Sequence, residues 1–213
     1  MFLGDLQKLL TGVYALDVAY DVRDFLLTDA TLARALDATG RSSDEKLLIA
    51  EEDGEAEVSL YLEQELVERL THNNPAARLS SANLADFWTA FEGVSHFTYY
   101  AWNAARQKSV TLLEMELQAE VDKFIATTLL LLQQGEPPAR GLHQWLFELP
   151  KLDARLKDSE RERYRSANRY AGRYCARLVP ALARGLDDDE LRRELRHFYR
   201  LPQGAKLAHI DAP

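Results

Sequence analysis

The sequence predicts a mainly α-helical protein: a helical bundle with a small N-terminal α+β portion that contains a β-hairpin at about residues 47–62. Three observations predict this fold. Helical apolar spacing and two capping-box patterns dominate the chain after Glu63. Two β-type runs flank Asp53-Gly54, a dipeptide that is preferred in tight hairpin turns. No repeat of fixed period is visible, which disfavours a solenoid.

The N-terminal portion, residues 1–75, is expected to combine helices and strands. Apolar residues over 5–16 have helical spacing, whereas residues 18–22 alternate as in a short strand. Asp29 is a good N-cap for a short helix that continues to about residue 37. Because an isolated hairpin is marginally stable, we expect the hairpin to pair with strand 18–22 or to lie on a helix.

Residues 76–213 are predicted to form the helical bundle, which should be continuous with the N-terminal portion as one domain. Thr111 and Ser159 each begin a capping box, with glutamate three residues later. Pro180 should end or kink its helix, and Pro202 with Gly204 should stop the last one. The expected helices after the hairpin are 63–71, 81–107, 111–134, 142–147, 159–180 and 188–199.

Composition favours a cytoplasmic protein without a membrane partner. The single cysteine, Cys175, rules out an internal disulfide and suits a reducing compartment. The N-terminus lacks the basic start of a secretory signal. The longest uninterrupted apolar stretch, Leu129 to Leu132, is far shorter than the ~20 residues that a membrane span requires.

Charge is distributed unevenly along the chain. The formal net charge is −8. Residues 1–150 hold 11 basic and 24 acidic side chains, a balance of −13, whereas residues 151–213 hold 15 basic and 10 acidic side chains, a balance of +5. This asymmetry predicts a charged contact, either between the two parts or with a partner. The overall negative charge argues against nonspecific nucleic-acid binding.

A polar cluster is predicted between the helices 81–107 and 111–134. The first helix carries a polar stripe beside its apolar face, and Glu120 falls inside the leucine-rich face of the second. Because the linker is short, the helices should pack antiparallel, with Glu120 opposite Tyr99 and Glu116 opposite Asn103. The predicted cluster comprises Glu92, His96, Tyr99, Asn103, Glu116 and Glu120.

Two functions are open for this cluster. Buried polar networks often fix helix register, and this structural role is the favoured interpretation. The alternative is a metal or acid–base site, because acids and a histidine on facing helices supply that chemistry. Di-iron bundles use Glu-x-x-His from paired helices, whereas Glu92 and His96 are four residues apart and the pattern occurs once. The sequence therefore assigns no metal ligand.

A row of arginines is the main predicted binding surface. Arginine recurs at every fourth position of the helix 159–180, opposite a core-like stripe. Four successive like-charge pairs cost an isolated helix on the order of 1–2 kcal/mol. Four interpretations are open: the row is a solvated face, it docks on the acidic N-terminal part of its own chain or of a second copy, it binds an acidic protein partner, or it binds the phosphates of a nucleic acid. The arginine row comprises Arg161, Arg165, Arg169, Arg173 and Arg177.

The primary prediction is a non-enzymatic interaction or regulatory protein that engages its partner through this row. A second enzymatic alternative rests on Arg192 and His197, which have the Arg-x4-His spacing of helical HEPN-type ribonucleases and offer candidate catalytic side chains. So short a pattern arises readily by chance. The chain has no glycine-rich phosphate loop, paired-cysteine zinc motif or nucleophile elbow, so no cofactor is predicted.

Overall fold

The computed structural model describes residues 2–37, 43–52, 55–137, 141–148, 157–182 and 188–212. It confirms the predicted fold class: a mainly α-helical protein with a small sheet near the N-terminus. The predicted turn at Asp53-Gly54 lies outside the described residues, as do residues 38–42 before the hairpin.

The N-terminal portion holds a three-stranded mixed sheet between helices. The two hairpin strands are antiparallel and form the register Leu48↔Ser59, and the third strand pairs in parallel with the other side of the strand that holds Ser59. Asp29 caps the second helix as predicted, accepting hydrogen bonds from the backbone of Thr31 and Leu32. The elements are α1 (Phe2–Tyr14), a 3-10 helix (Val22–Phe25), β1 (Leu26–Leu27), α2 (Ala30–Leu36), β2 (Glu45–Glu52), β3 (Glu55–Leu62) and α3 (Gln64–His72).

The prediction of a strand over residues 18–22 is wrong. Residues 16–21 form no regular element, and Val22 begins the 3-10 helix instead. Asp21 caps that helix by accepting from the backbone of Arg23, and Gln7 on α1 holds both sides of the turn by bonding Tyr20 O and Val22 N. These side chains satisfy the hydrogen-bonding groups of the backbone at residues 20–23, so the third strand forms only at Leu26–Leu27.

The rest of the described chain is helical. Thr111 accepts from the backbone of Glu114 and caps its helix as predicted, whereas the helix expected to begin at Ser159 begins one residue earlier, with Glu160 accepting from the backbone of Lys157. Pro180 lies inside that helix, two residues before its end. The elements are α4 (Leu84–Ala104), α5 (Leu112–Gln133), α6 (Leu142–Phe147), α7 (Asp158–Leu182), α8 (Asp189–Arg200) and α9 (Gln203–Asp211).

The last helix was not predicted. Pro202 and Gly204 were expected to stop the helix 188–199, and α8 does end at Arg200, but Pro202 is also the N-cap of a further helix, α9, and Gly204 lies within its first turn. Proline is well tolerated where a helix begins, because the backbone N–H that it lacks has no partner there. Lys206 is fully buried and anchors α9 to the body.

The core lies where α5 packs between α4 and α7. Fully buried side chains at this centre include Phe87, Phe91, Leu117, Ala167 and Ala171. One apolar cluster extends from α1 to α9 and so includes both the N-terminal and the helical portions. Within the described ranges, the helices are each too short or too polar to cross a bilayer.

Candidate functional site

Seven charged side chains converge between the hairpin and the three central helices. All are more than three-quarters buried, although charged groups are rarely buried without partners. The set combines four carboxylates with three basic groups. The charged cluster, as the term is used below, comprises Glu45 on β2, Glu92 and His96 on α4, Glu116, Glu120 and Lys123 on α5, and Arg163 on α7.

A glycine allows the hairpin to reach this cluster. A Cβ atom at Gly93 would lie 2.7 Å from Leu60 Cδ1 and 2.8 Å from Glu45 Cγ, which is closer than real side chains approach. With only a hydrogen at Gly93, β2 and β3 pack directly on α4. Glu45, at the first position of β2, thereby reaches His96 one turn along α4.

His96 lies between two carboxylates. Its Nδ1 is 3.6 Å from Glu45 Oε1, and its Nε2 is 3.7 Å from Glu116 Oε2. Burial acts to lower the pKa of His96, but the contact with Glu45 and the negative charge of Glu116 outweigh burial and raise this pKa to about 9. The imidazole therefore carries a proton at neutral pH.

Lys123 joins two further carboxylates. Its Nζ donates to Glu92 Oε2 at 2.9 Å and to Glu120 Oε1 at 2.7 Å. Burial acts to lower the pKa of Lys123, but these two acids raise it. Burial likewise acts to raise the pKa of Glu92, and the Lys123 charge outweighs it and lowers this pKa. These contacts form a buried ion network rather than a surface pair.

Glu116 is suited to proton exchange near neutral pH. Burial raises the pKa of its carboxyl to about 7, against the opposing charges of His96 and Arg163. Arg163 Nε lies 3.6 Å from Glu116 Oε1, too far for a hydrogen bond. A carboxyl with such a pKa, beside a protonated imidazole, has the chemistry of an acid–base pair.

The cluster also contains unsatisfied atoms that face inward. Glu45 Oε1, His96 Nε2 and Glu120 Oε2 are buried and have no hydrogen-bond partner. Glu45, Glu92 and His96 each offer one ligand atom, and these atoms lie within 4.8 Å of one another. Among the described residues, this is the group of histidine and acidic side chains that has the spacing of a metal site.

The structure brings together four of the six residues expected in the polar cluster: Glu92, His96, Glu116 and Glu120. The expected register between the helices is wrong. Tyr99 was expected opposite Glu120, but its hydroxyl donates to Glu114 at 2.5 Å, six residues or more than one and a half turns away, and Asn103 donates to the Tyr99 carbonyl. α4 also ends at Ala104, three residues earlier than predicted.

Three cluster members were missed. Glu45 lies two residues before the predicted hairpin, and only the tertiary packing at Gly93 places it beside His96. Lys123 stands three residues after Glu120, a helical ion-pair spacing that could have identified it. Arg163 gave no local signal, because its partner lies on another helix.

The arginine row is divided in two by the fold. Arg173 bonds the Asp211 carboxylate at 2.6 Å, and Arg177 bonds the carbonyls of His209 and Ala212 at 3.1 and 3.2 Å. These two arginines therefore hold the C-terminal end of α9. Arg165 and Arg169 are exposed and form no ion pair with any described residue. Arg161, the remaining member, is half-buried.

The two candidate ribonuclease residues lie on different sides of α8. Arg192 contacts Asp189 at 3.5 Å, whereas the exposed His197 ring is 5.5 Å from the His209 ring. Five residues on a regular helix correspond to about 140° of rotation. The helix thus directs the two side chains away from each other.

A second buried network was not anticipated. Asp122 accepts hydrogen bonds from Tyr14 at 2.5 Å, Ser95 at 2.6 Å and Gln118 at 2.7 Å. Gln118 in turn accepts from Lys206 Nζ at 2.6 Å, and Lys206 also donates to a carbonyl in the last turn of α8. This network joins α1, α4, α5 and α9, so its position indicates a role in holding the termini to the core.

A scan of protein-family models and searches of curated proteins and solved structures each return no match. Function is therefore inferred from the residues and contacts of the chain itself.

Proposed function

We propose that this chain is an interaction protein that binds an acidic protein segment through the free half of the arginine row, Arg165 and Arg169. The observation that carries the proposal is that both guanidinium groups are exposed on successive turns of α7 without a carboxylate partner among the described residues. Their mutual repulsion, about 0.2–0.5 kcal/mol in an isolated helix, would be relieved by an acidic ligand.

The occupied half of the row supports this ligand chemistry. Arg173 and Arg177 hold a helix C-terminus through one carboxylate and two backbone carbonyls. A helix C-terminus carries partial negative charge, so a row of arginines is complementary to it. The same spacing of guanidinium groups continues through Arg169 to Arg165. An acidic helix end from a partner fits the free half as α9 fits the occupied half.

Two other ligands are less favoured. A nucleic acid would have to approach a chain whose formal net charge is −8, and long-range repulsion opposes that approach. A second copy of the chain would also be an acidic ligand, because residues 1–150 hold 24 acidic and 11 basic side chains, and self-association is therefore an outcome that the test distinguishes. The separation of Arg192 from His197 gives the ribonuclease alternative no support.

The test uses the full chain and a double charge reversal, Arg165→Glu with Arg169→Glu. The probe is a fluorescent alanine-rich helical peptide that ends in glutamates, compared with a peptide of the same composition that begins with them. The matched control is Arg34→Glu with Arg78→Glu, which changes two exposed arginines elsewhere and alters net charge equally. Anisotropy titrations at low and high salt measure affinity.

We expect the native chain and the control to bind the first peptide equally and the α7 double variant to bind at least about tenfold more weakly, a loss of about 1.4 kcal/mol. Equal binding by all three proteins, or no binding by the native chain, would refute the proposal. Light scattering identifies self-association: a salt-sensitive dimer that the α7 variant lacks would make the second copy the acidic partner. Arginine-dependent binding of single-stranded RNA, with no peptide binding, would replace the proposal with nucleic-acid recognition.

A further inference from the structure

We propose that Glu45, Glu92 and His96 form a binding site for one divalent transition-metal ion. This site lies on the other side of α7 from the arginine row, and the inference is independent of the proposed partner binding. The three ligands come from the start of β2 and from consecutive turns of α4. One imidazole and two carboxylates suit zinc, manganese or iron(II), whereas magnesium and calcium prefer oxygen ligands alone.

The distances allow coordination after a small side-chain movement. The three ligand atoms lie within 4.8 Å of one another. Ligands bound to a tetrahedral ion at about 2.1 Å stand about 3.4 Å apart, so the atoms must approach by roughly 1.4 Å. Both glutamates have rotatable side chains that can supply this movement. The backbone of α4 fixes the spacing of Glu92 and His96 on one face of the helix.

Unpartnered atoms provide the second observation. His96 is 6% exposed, and its Nε2 has no hydrogen-bond partner. The buried Oε1 of Glu45 is also unpartnered. A buried polar atom without a partner costs about 1–3 kcal/mol. Glu45 Oε1 lies on the Nδ1 side of the imidazole ring, whereas Nε2 lies on the Glu116 side. A metal ion between the Glu45 carboxylate and the near side of the imidazole ring removes the penalty at Glu45.

The surroundings have the form of an outer shell around a metal site. Since Nδ1 of His96 faces Glu45, metal binding there directs the Nε2–H toward Glu116 Oε2, now 3.7 Å away. A metal-bound histidine commonly donates its other ring N–H to a carboxylate. Lys123 meanwhile bonds Glu92 Oε2 at 2.9 Å and so fixes the orientation of the second carboxylate ligand.

Charge favours a divalent over a monovalent ion. The charged cluster has four carboxylates, and Lys123 and Arg163 supply two positive charges. With His96 neutral, as a metal ligand must be, acidic side chains outnumber the basic ones around the site, and the charge of a divalent ion offsets this excess.

The alternative is that these residues form only a structural ion network, and variants separate the two. The full chain is stripped with a chelator, and binding of Zn²⁺ and Mn²⁺ is measured by calorimetry, with Mg²⁺ as the hard-ion comparison. Co²⁺ reports coordination through its visible absorption. The site variants are His96→Gln and Glu45→Gln, and the matched controls are His72→Gln and Glu65→Gln, which lie exposed on α3.

A third control addresses the surface. His209 lies 2.7 Å from Glu194 and its ring is 5.5 Å from the His197 ring, so these groups could capture ions adventitiously. His209→Gln removes that possibility. Circular dichroism verifies that each variant is folded. If His96→Gln does not fold, Glu45→Gln provides the test, because Oε1 of Glu45 has no hydrogen bond for the substitution to break.

We expect one ion per chain, bound at least tenfold more weakly by His96→Gln and Glu45→Gln and equally well by the α3 controls and by His209→Gln. The cobalt spectrum of the native chain should be lost in His96→Gln. Absence of saturable binding would overturn the proposal. Binding that survives both site variants, or that is lost in His209→Gln, would overturn it equally and leave the cluster with a structural role.

Discussion

Lys206 should make the stability of this protein depend on pH in a way that a single substitution abolishes. The side chain is fully buried, and its ammonium donates to Gln118 and to the last turn of α8. Burial lowers its pKa from 10.5 to about 7, against the opposing charges of Glu114 and Asp122. The perturbation is Lys206→Met, which keeps similar volume and carries no proton.

The sign follows from proton counting. Between the folded pKa of about 7 and the unfolded value of 10.5, the folded protein binds fewer protons than the unfolded chain. The free energy of unfolding therefore rises with pH in this window, and the burial penalty is complete below about pH 7. Each pH unit contributes ~1.36 kcal/mol, so the rise between about pH 7 and pH 9.5 is on the order of 3.4 kcal/mol.

His96 acts in the opposite direction over part of the same window. Its folded pKa of about 9 exceeds the ordinary value of 6.5, so its stabilising effect is complete below about pH 6.5 and is lost as pH rises through about 9. The native profile alone would mix the two effects. Because the Lys206→Met protein retains His96, the difference between native and variant isolates the lysine.

Urea denaturation followed by tryptophan fluorescence measures this difference at about pH 6, pH 7.5 and pH 9.5. We expect the native protein to gain about 3 kcal/mol relative to Lys206→Met as pH rises across this range. Lys8→Met, which removes an exposed lysine from α1, should differ from native by a constant amount. A difference between native and Lys206→Met that does not change with pH would refute the assignment of a depressed lysine pKa.

Two further predictions concern packing and buried hydrogen bonds. Gly93→Ala should lower the free energy of unfolding by about 1–3 kcal/mol, because the added methyl group would lie 2.7 Å from Leu60. Gly12→Ala, which has open space around it in α1, should raise the free energy of unfolding by about 0.5–1 kcal/mol. Thermal denaturation compares the two variants, and equal effects would contradict the close approach at Gly93. Tyr14→Phe should cost about 1–3 kcal/mol by removing a donor from buried Asp122; an unchanged urea midpoint would show that this hydroxyl is not needed.

Local sequence signals predicted those parts of the fold whose determinants are close in sequence. The hairpin, the Asp29 cap and the Thr111 cap depend on residues within one turn or one pair of strands, and all three are present. The strand at 18–22 failed because Gln7, thirteen or more residues away, provides an alternative partner for that backbone. Alternation alone could not reveal this competition.

The candidate site was only partly predictable, for a physical reason. Glu120 attracted attention because a carboxylate within a leucine-rich face must have a partner. The same reasoning applies to Asp122, whose partners Tyr14 and Ser95 lie on two other helices. A helical wheel shows which polar groups enter the core but not which distant groups meet them. Glu45 joined the cluster through Gly93, whose significance depends on the hairpin packing above it.

The arginine row shows the same division between pattern and partner. Its four-residue spacing is visible in the sequence, but the spacing cannot distinguish a guanidinium group that bonds within the fold from one that forms no ion pair with a described residue. That distinction depends on α9: all four guanidinium groups are exposed, but Arg173 and Arg177 bond the C-terminal end of α9, whereas Arg165 and Arg169 form no ion pair with a described residue. Because α9 follows the proline that was expected to stop the last helix, α9 was not predicted, and the sequence alone did not show which arginines bond within the chain.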